Sequence, residues 1–144
     1  MNILSVLLTL TLMQPTWLTN LEKGKNEAAV ADKLIVLNFS GSDWCGPCIR
    51  LKKEIFSSDA FTNYATKNLV LVNADFPRYK KNALLKEQVK ENEALAEKYN
   101  PAGRFPFTVL LDANGKVLKQ WDGLPDETAE KFVDEIKTVD HAHH

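Results

Sequence analysis

The sequence predicts a single α/β domain: a central mixed sheet of four or five strands flanked by helices. Three observations carry this expectation. Leu34-Ile35-Val36-Leu37, running on into Asn38-Phe39, and the stretch Leu69 to Ala74 are nearly continuous apolar runs. Such runs suit strands covered on both faces, as in a parallel sheet. Around them, apolar side chains recur at helical spacing. Finally, Phe107 to Leu111 and Val117 to Trp121 bracket the turn residues Asp112-Ala113-Asn114-Gly115, a hairpin signal. With 144 residues there is room for one ordinary domain but not two.

The elements follow in order. Thr19 and Glu22 have capping-box spacing, which predicts a helix from about Asn20 to Ala31. The first buried strand ends at Ser40-Gly41-Ser42-Asp43. From Cys48 a stripe of Cys48, Leu51, Ile55 and Phe56, flanked by Ile49, predicts a helix with Arg50, Lys52, Lys53 and Glu54 outside. Ser57-Ser58-Asp59 stops it and caps a second helix carrying Phe61, Tyr64 and Ala65. The second buried strand ends at Asp75. A long helix is then expected from about Ala83 to Tyr99, with Leu85, Val89, Ala96 and Tyr99 on one face, closed by Pro101-Ala102-Gly103. The hairpin and a last helix from about Asp126, burying Ala129, Phe132, Val133 and Ile136, complete the chain. This order implies a parallel βαβ crossover followed by an antiparallel pair.

Composition narrows the function. Eighteen basic against nineteen acidic residues give a net charge of −1, which offers no support for nucleic-acid binding. Two cysteines cannot build a multi-bridge scaffold or a four-thiolate metal site. No charged residue precedes Glu22, and Ile3 to Met13 is largely apolar. That run is shorter than the roughly 20 residues of a membrane-spanning helix. Its length matches the apolar core of a secretory signal, although no basic residue precedes it and no clear small-x-small cleavage site follows. Alternation of Leu4, Val6, Leu8, Leu10 and Leu12 also fits a strand or docked segment. Three segments result: residues 1–19 as a signal peptide or N-terminal segment, 20–139 as the domain, and 140–144 as a tail. His141, His143 and His144 in that tail read as a frayed terminus, with adventitious metal binding as the alternative.

The cysteines supply the chemistry. Cys45-Gly46-Pro47-Cys48 lies between a buried strand and an amphipathic helix, a position where two thiols close into a small disulfide ring. The first thiol is expected to point outward from the opening turn. There the helix amides lack partners and the helix end carries roughly half a positive charge, so a thiolate is stabilised. Pro47 suits the first turn, where its missing N–H costs nothing. Cys45 is thus the expected nucleophile and Cys48 the resolving thiol. Three other readings stand beside this one. A structural disulfide over so short a loop would stabilise little; a metal site would need distant histidines; two ordinary core cysteines would have no reason to sit at a helix start.

The stretch Phe39-Ser40-Gly41-Ser42-Asp43-Trp44-Cys45-Gly46-Pro47-Cys48 resembles the active site of the thioredoxin-like superfamily, and the element order agrees from about Asn20 to Thr138. It looks most like exported bacterial thioredoxin-like proteins. The resemblance implies a thioredoxin fold and a thiol–disulfide oxidoreductase. The Gly46-Pro47 insert is similar to that of reducing members and implies net reduction of protein disulfides. By the same resemblance Pro106 is a cis-proline opening the third main strand. The Phe105 backbone is then exposed to a substrate chain, and Trp44 forms the rim of the substrate groove. Trp17 and Trp121 read as structural. No cofactor beyond the Cys45–Cys48 disulfide and no metal is implied. The implied partners are disulfide-containing protein clients and a thiol electron donor, with no nucleic acid and no stable membrane span. A monomer in the periplasm or another exported compartment is expected, or in the cytoplasm if the N-terminal segment is not a signal. Isomerase or oxidase action on the same scaffold, a redox-inert client-binding module and, more distantly, a copper or zinc carrier are the competing functions.

Two departures from the family pattern stand out. Where thioredoxins carry a buried acid, this chain has Asn38, and the lysine that often partners that acid falls near Leu71. An amide cannot take a proton at neutral pH, so water or another group must receive the Cys48 proton. Asp43 is a candidate, with loop capping as its alternative role. The stretch between Asp75 and Pro106 is also about one helical segment longer than in a minimal thioredoxin. It carries Arg78, Lys80 and Lys81, which read as a solvated charged face or as a basic rim for an acidic partner.

Overall fold

Residues 14–144 are described by a computed structural model of the chain. The apolar run from Ile3 to Met13, and with it most of the signal-peptide reading, lies outside the described residues. The elements are β1 (Trp17–Leu18), α1 (Leu21–Ala31), β2 (Leu34–Ser40), α2 (Gly46–Leu51), a π-helical turn (Lys52–Phe56), α3 (Asp59–Asn68), β3 (Leu69–Asp75), a 3-10 turn (Lys80–Asn82), α4 (Lys86–Tyr99), β4 (Phe107–Leu111), β5 (Val117–Asp122) and α5 (Ala129–His143).

The sheet order is β1-β3-β2-β4-β5, with β1 and β2 parallel to β3, and β4 antiparallel to both β2 and β5. This is the mixed five-stranded sheet of the thioredoxin fold. Because side chains alternate along a strand, β2 serves two cores at once. Leu34 and Val36 join Leu51, Ile55, Phe61, Phe132 and Ile136 beneath α3 and α5. Ile35, Leu37 and Phe39 join Leu21, Ala28, Val72 and Val109 on the face covered by α1. All seven residues of β2 are buried, which is why the run shows no alternation in the sequence.

Local details depart from the sequence reading in five places. Asn20, not Thr19, caps α1: its side chain accepts from Lys23 N at 2.8 Å. Trp17 and Leu18, left in the N-terminal segment by the sequence reading, pair with β3, and Trp17 packs 5.0 Å from Phe56. The helix after Cys48 widens into the π-helical turn, and that extra residue turns the adjacent Ile55 and Phe56 both inward. On α4 the expected apolar face packs only at its C-terminal end: Tyr99 is buried and Ala96 packs against the core, whereas Leu85 and Val89 are exposed. The helix is tied further by buried Asn92, whose amide donates to the Asp75 carbonyl at 2.9 Å. Finally, α5 continues to His143 rather than fraying at 140, and the His144 ring lies 3.1 Å from Asp140.

Candidate active site

The site forms where β2 ends and α2 begins. Past Ser40 the chain folds back so that Cys45 N–H donates to the Gly41 carbonyl at 2.9 Å. Cys45 then caps α2: the Cys48 N–H donates to Cys45 Sγ at 3.3 Å, with Pro47 in the first turn. Cys45 and Cys48 are joined as a disulfide with a Cα–Cα separation of 5.2 Å. Each cysteine is only 5% exposed, so the outward-pointing Cys45 thiol expected from the sequence is not what this oxidised form presents. The cap bond and ring closure draw its sulfur back onto the helix, while Gly46 and Pro47 stay at the surface.

On one side of the disulfide lies an aromatic rim. The Trp44 indole donates to the Phe76 carbonyl at 2.7 Å and meets the edge of Phe105 at 5.5 Å; Phe105 meets Phe76 at 5.4 Å. The Phe105–Pro106 peptide bond is cis. The backbone N–H and C=O of Phe105 make no hydrogen bond to other described residues. Over the Trp44 ring sits the Arg78 guanidinium, 3.6 Å from the centroid. Gly41 packs directly beneath this indole. A methyl group added at Gly41 would come within 3.0 Å of three indole atoms. Only a residue without Cβ fits there.

On the other side the sheet face changes character. In β2 the side chains toward α2 run Leu34, Val36, Asn38, Ser40; in β3 they run Leu69, Leu71, Asn73, Asp75; in β4, Leu110 then Thr108. Registers place Asn38 beside both Asn73 and Thr108, and Ser40 beside Asp75. The apolar core therefore ends in a polar floor near Cys48. Asn38 donates to Asn73 Oδ1 at 3.0 Å and accepts from Thr108 Oγ1 at 3.0 Å. Ser40 donates to Asp75 at 3.2 Å, and Ser42 donates to it through both its backbone N–H (2.9 Å) and its hydroxyl. The strand neighbour of Asn38 is thus Asn73; Leu71 lies opposite Val36. Two neutral amides occupy the ground where a buried acid and its lysine were sought, and each is satisfied by hydrogen bonds. Asn38, Ser40, Asn73 and Cys48 share the wall of a cleft of about 530 Å³ that Trp17 and Lys52 also line.

Asp43 turns away from both cysteines. Its carboxylate accepts from the backbone N–H of Arg78 (2.9 Å) and Tyr79 (3.0 Å) and from the Asn82 amide (3.0 Å). Partial burial pushes its pKa up, but the hydrogen bonds from Arg78, Asn82 and Tyr79 outweigh this and leave it below the ordinary 3.8. The geometry is that of a loop cap, and the loop it caps is the extra segment after β3.

Of the residues expected from the sequence, Cys45, Cys48, Trp44, Phe105, Pro106, Gly46, Pro47 and Asn38 lie around one disulfide, whereas Asp43 faces the loop after β3. Gly41, Ser40, Phe76, Asn73 and Thr108 also belong to the site, as does the contact of Arg78 with Trp44, none of which is read from the sequence. For Asn73 and Ser40 a signal existed, the switch from apolar to polar along one face of a buried strand. Phe76 and Arg78 carried no such signal, since their roles depend on where the loop lands. Among the described residues no three or more His, Cys, Asp or Glu side chains group to hold a metal, and no helix is long and apolar enough to cross a membrane.

Comparison with known proteins accords with this geometry. The profile of the thioredoxin-like domain family matches residues 21–140. Disulfide bond reductase DsbH of Chlamydia pneumoniae is 38% identical over 107 residues, covering 74% of this chain and 62% of that protein. Thioredoxin-related protein DsbJ of the same organism is 23% identical over 121 residues, 83% of this chain and 34% of that one. The chain thus spans less than two thirds of either relative. A solved structure of a DsbH oxidoreductase superposes with a TM-score of 0.80 at 30% identity, covering 90% of this chain and 86% of that one. A Thermus thermophilus thioredoxin, at 15% identity and a TM-score of 0.65 over 88% of each chain, shares the fold.

Proposed function

The chain belongs to the thioredoxin-like domain family, and from that premise we propose that it is a thiol–disulfide oxidoreductase acting as a net reductant of protein disulfides. The observation that carries the proposal is the Cys45–Cys48 disulfide at the α2 cap, with Cys45 Sγ accepting the Cys48 N–H. In the reduced protein the same N–H stabilises a Cys45 thiolate. That thiolate attacks one sulfur of a client disulfide: the client S–S bond breaks, a mixed disulfide to Cys45 forms, and the first client thiolate leaves and is protonated. Cys48, having given its proton to water, attacks Cys45 Sγ and releases the second client thiol. The client gains two electrons and two protons, and the pair returns to the disulfide seen here. A dithiol donor then reduces it by the reverse exchange.

Trp44, Phe105 and Pro106 form the client groove in this reading. The free N–H and C=O of Phe105 supply main-chain pairing for an extended client segment, a mode that edge-strand recognition uses widely. Gly46 and Pro47 set the sulfur spacing, Asn38 holds the floor by hydrogen bonds, and Asp43 acts through the loop it caps. The reducing direction is supported by the Gly-Pro insert and by the disulfide bond reductase among the relatives. The uncharged residues ahead of Glu22 support an exported location.

The test is insulin-disulfide reduction with a dithiol donor. Cys45→Ser should abolish turnover, and Cys48→Ala should accumulate a client mixed disulfide that Cys45→Ala cannot form. Wild-type turnover in Cys45→Ser would defeat the assignment. A reduction potential near about −270 mV is expected; one near about −120 mV, as in strongly oxidising members, would reverse the direction. Equal client affinity in oxidised, reduced and double-Ser forms without turnover would leave a redox-inert binder.

A further inference from the structure

We infer that Arg78 is a specificity residue that reads a carboxylate beside the client's disulfide, so that the protein prefers disulfides flanked by Asp or Glu. The inference rests on the reading of Trp44 and Phe105 as the client groove.

Placement comes first. The Arg78 guanidinium carbon sits over the indole of the residue that precedes Cys45 in the chain, at the face-contact distance of 3.6 Å from its centroid. The indole itself is fixed by the Phe76 carbonyl at its nitrogen, by a T-shaped contact with Phe105 and by Gly41 beneath it. The cation therefore stands at the lip of the groove.

Its backbone is equally constrained. Asp43 holds the N–H groups of Arg78 and Tyr79 and the side chain of Asn82, and Pro77 restricts the residue before. A pre-positioned side chain loses little freedom when a ligand arrives.

The charge is also available. Of the three arginines in the chain, Arg50 pairs with Glu54 and Arg104 with Asp122. Among the described residues no carboxylate pairs with Arg78, and the nearby Asp43 carboxylate is occupied by backbone N–H groups. Stacking uses the face of the guanidinium and leaves its in-plane N–H donors free, the edge that binds a carboxylate in bidentate fashion. Lys80 and Lys81 follow in the same exposed loop but stack on no ring among the described residues, so they add long-range attraction without a fixed geometry.

The experiment compares two disulfide peptides that differ only in Glu or Gln next to the attacked cysteine. Wild-type protein should show a kcat/KM about threefold to tenfold higher for the Glu peptide at low ionic strength, expressed mainly in KM and shrinking in high salt. Arg78→Gln should bring the ratio to about one. Arg78→Lys, which keeps the charge but not the fork, should restore part of it, and this partial rescue is a readout that a merely structural role would not give. Lys80→Gln with Lys81→Gln should leave most of the ratio in place. Equal rates for the two peptides with wild-type protein, or an undiminished ratio in Arg78→Gln, would overturn the inference while leaving the oxidoreductase reading intact. Turnover of neither peptide would instead bring down the oxidoreductase reading and this inference with it.

Discussion

The two sides of the Cys45–Cys48 disulfide are built on different principles. The rim of Trp44, Phe76, Phe105 and Arg78 is assembled from loops, is half exposed, and is held by ring contacts and one indole hydrogen bond. The floor of Asn38, Asn73, Ser40 and Thr108 stands on three adjacent strands and is held by registered hydrogen bonds. Burial explains the contrast. A polar group sealed under a helix must be satisfied or it destabilises the fold, whereas an aromatic surface at the edge of solvent is free to serve a partner. Changes in the floor should therefore register as stability, and changes in the rim as recognition.

The largest effect is expected at Gly41, which belongs to both sides: its N–H points at Cys48 Sγ at 3.5 Å and its Cα supports the Trp44 indole. Gly41→Ala should lower stability by about 3 kcal/mol in chemical denaturation, the upper range for overpacking, and reduce client kcat/KM in parallel. A change in only one of the two would break the idea that this residue joins rim and floor. Next comes the rim alone. Trp44→Ala should cut client kcat/KM about thirtyfold, the size of a recognition hot spot, with a smaller loss of stability on the same energy scale. A drop in melting temperature without the kinetic loss would move Trp44 into the core.

Floor changes should behave in the opposite way. Thr108→Val keeps the shape but leaves Asn38 Oδ1 without its donor, which should cost about 1–2 kcal/mol of stability and leave kcat/KM within about threefold. A kinetic defect larger than the stability defect would assign the floor a direct part in thiol exchange. The smallest expected effect is that of Asp43→Asn. Because the folded-state pKa of Asp43 lies below 3.8, its contribution is present above that value and lost as pH falls through the lower folded value. The substituted protein should accordingly show a shallower acid limb below pH 3.8, together with faster proteolysis at residues 78–82. An unchanged acid limb would mean that the loop holds without this carboxylate.

Much of this was legible in the linear chain. Unbroken apolar runs marked β2 and β3, because a strand covered on both faces needs apolar residues at every position. The Cys-Gly-Pro-Cys spacing marked a helix cap, since capping is a matter of three or four neighbouring residues. The reading erred where local pattern and packing disagree. Leu85 and Val89 have helical spacing, yet they lie on the open side of α4 because Asn92 and Tyr99 make the docking contacts. Thr19 has the capping-box spacing, yet Asn20 caps the helix, its side chain accepting from the Lys23 N–H.

The sequence by itself determined strands β2 to β5 and the five α-helices, the position of the dithiol and the absence of a titratable group at residue 38. These depend on side-chain chemistry and on spacings of two to four residues. Only the tertiary structure decided which group partners Asn38, which face Trp44 shows, and what Asp43 and Arg78 do. Asp43 binds the N–H of Arg78 across a separation of 35 residues, and Asn38 meets Asn73 across the same distance. Such contacts follow from strand register and from where a loop is closed, and neither leaves a periodic trace in the chain.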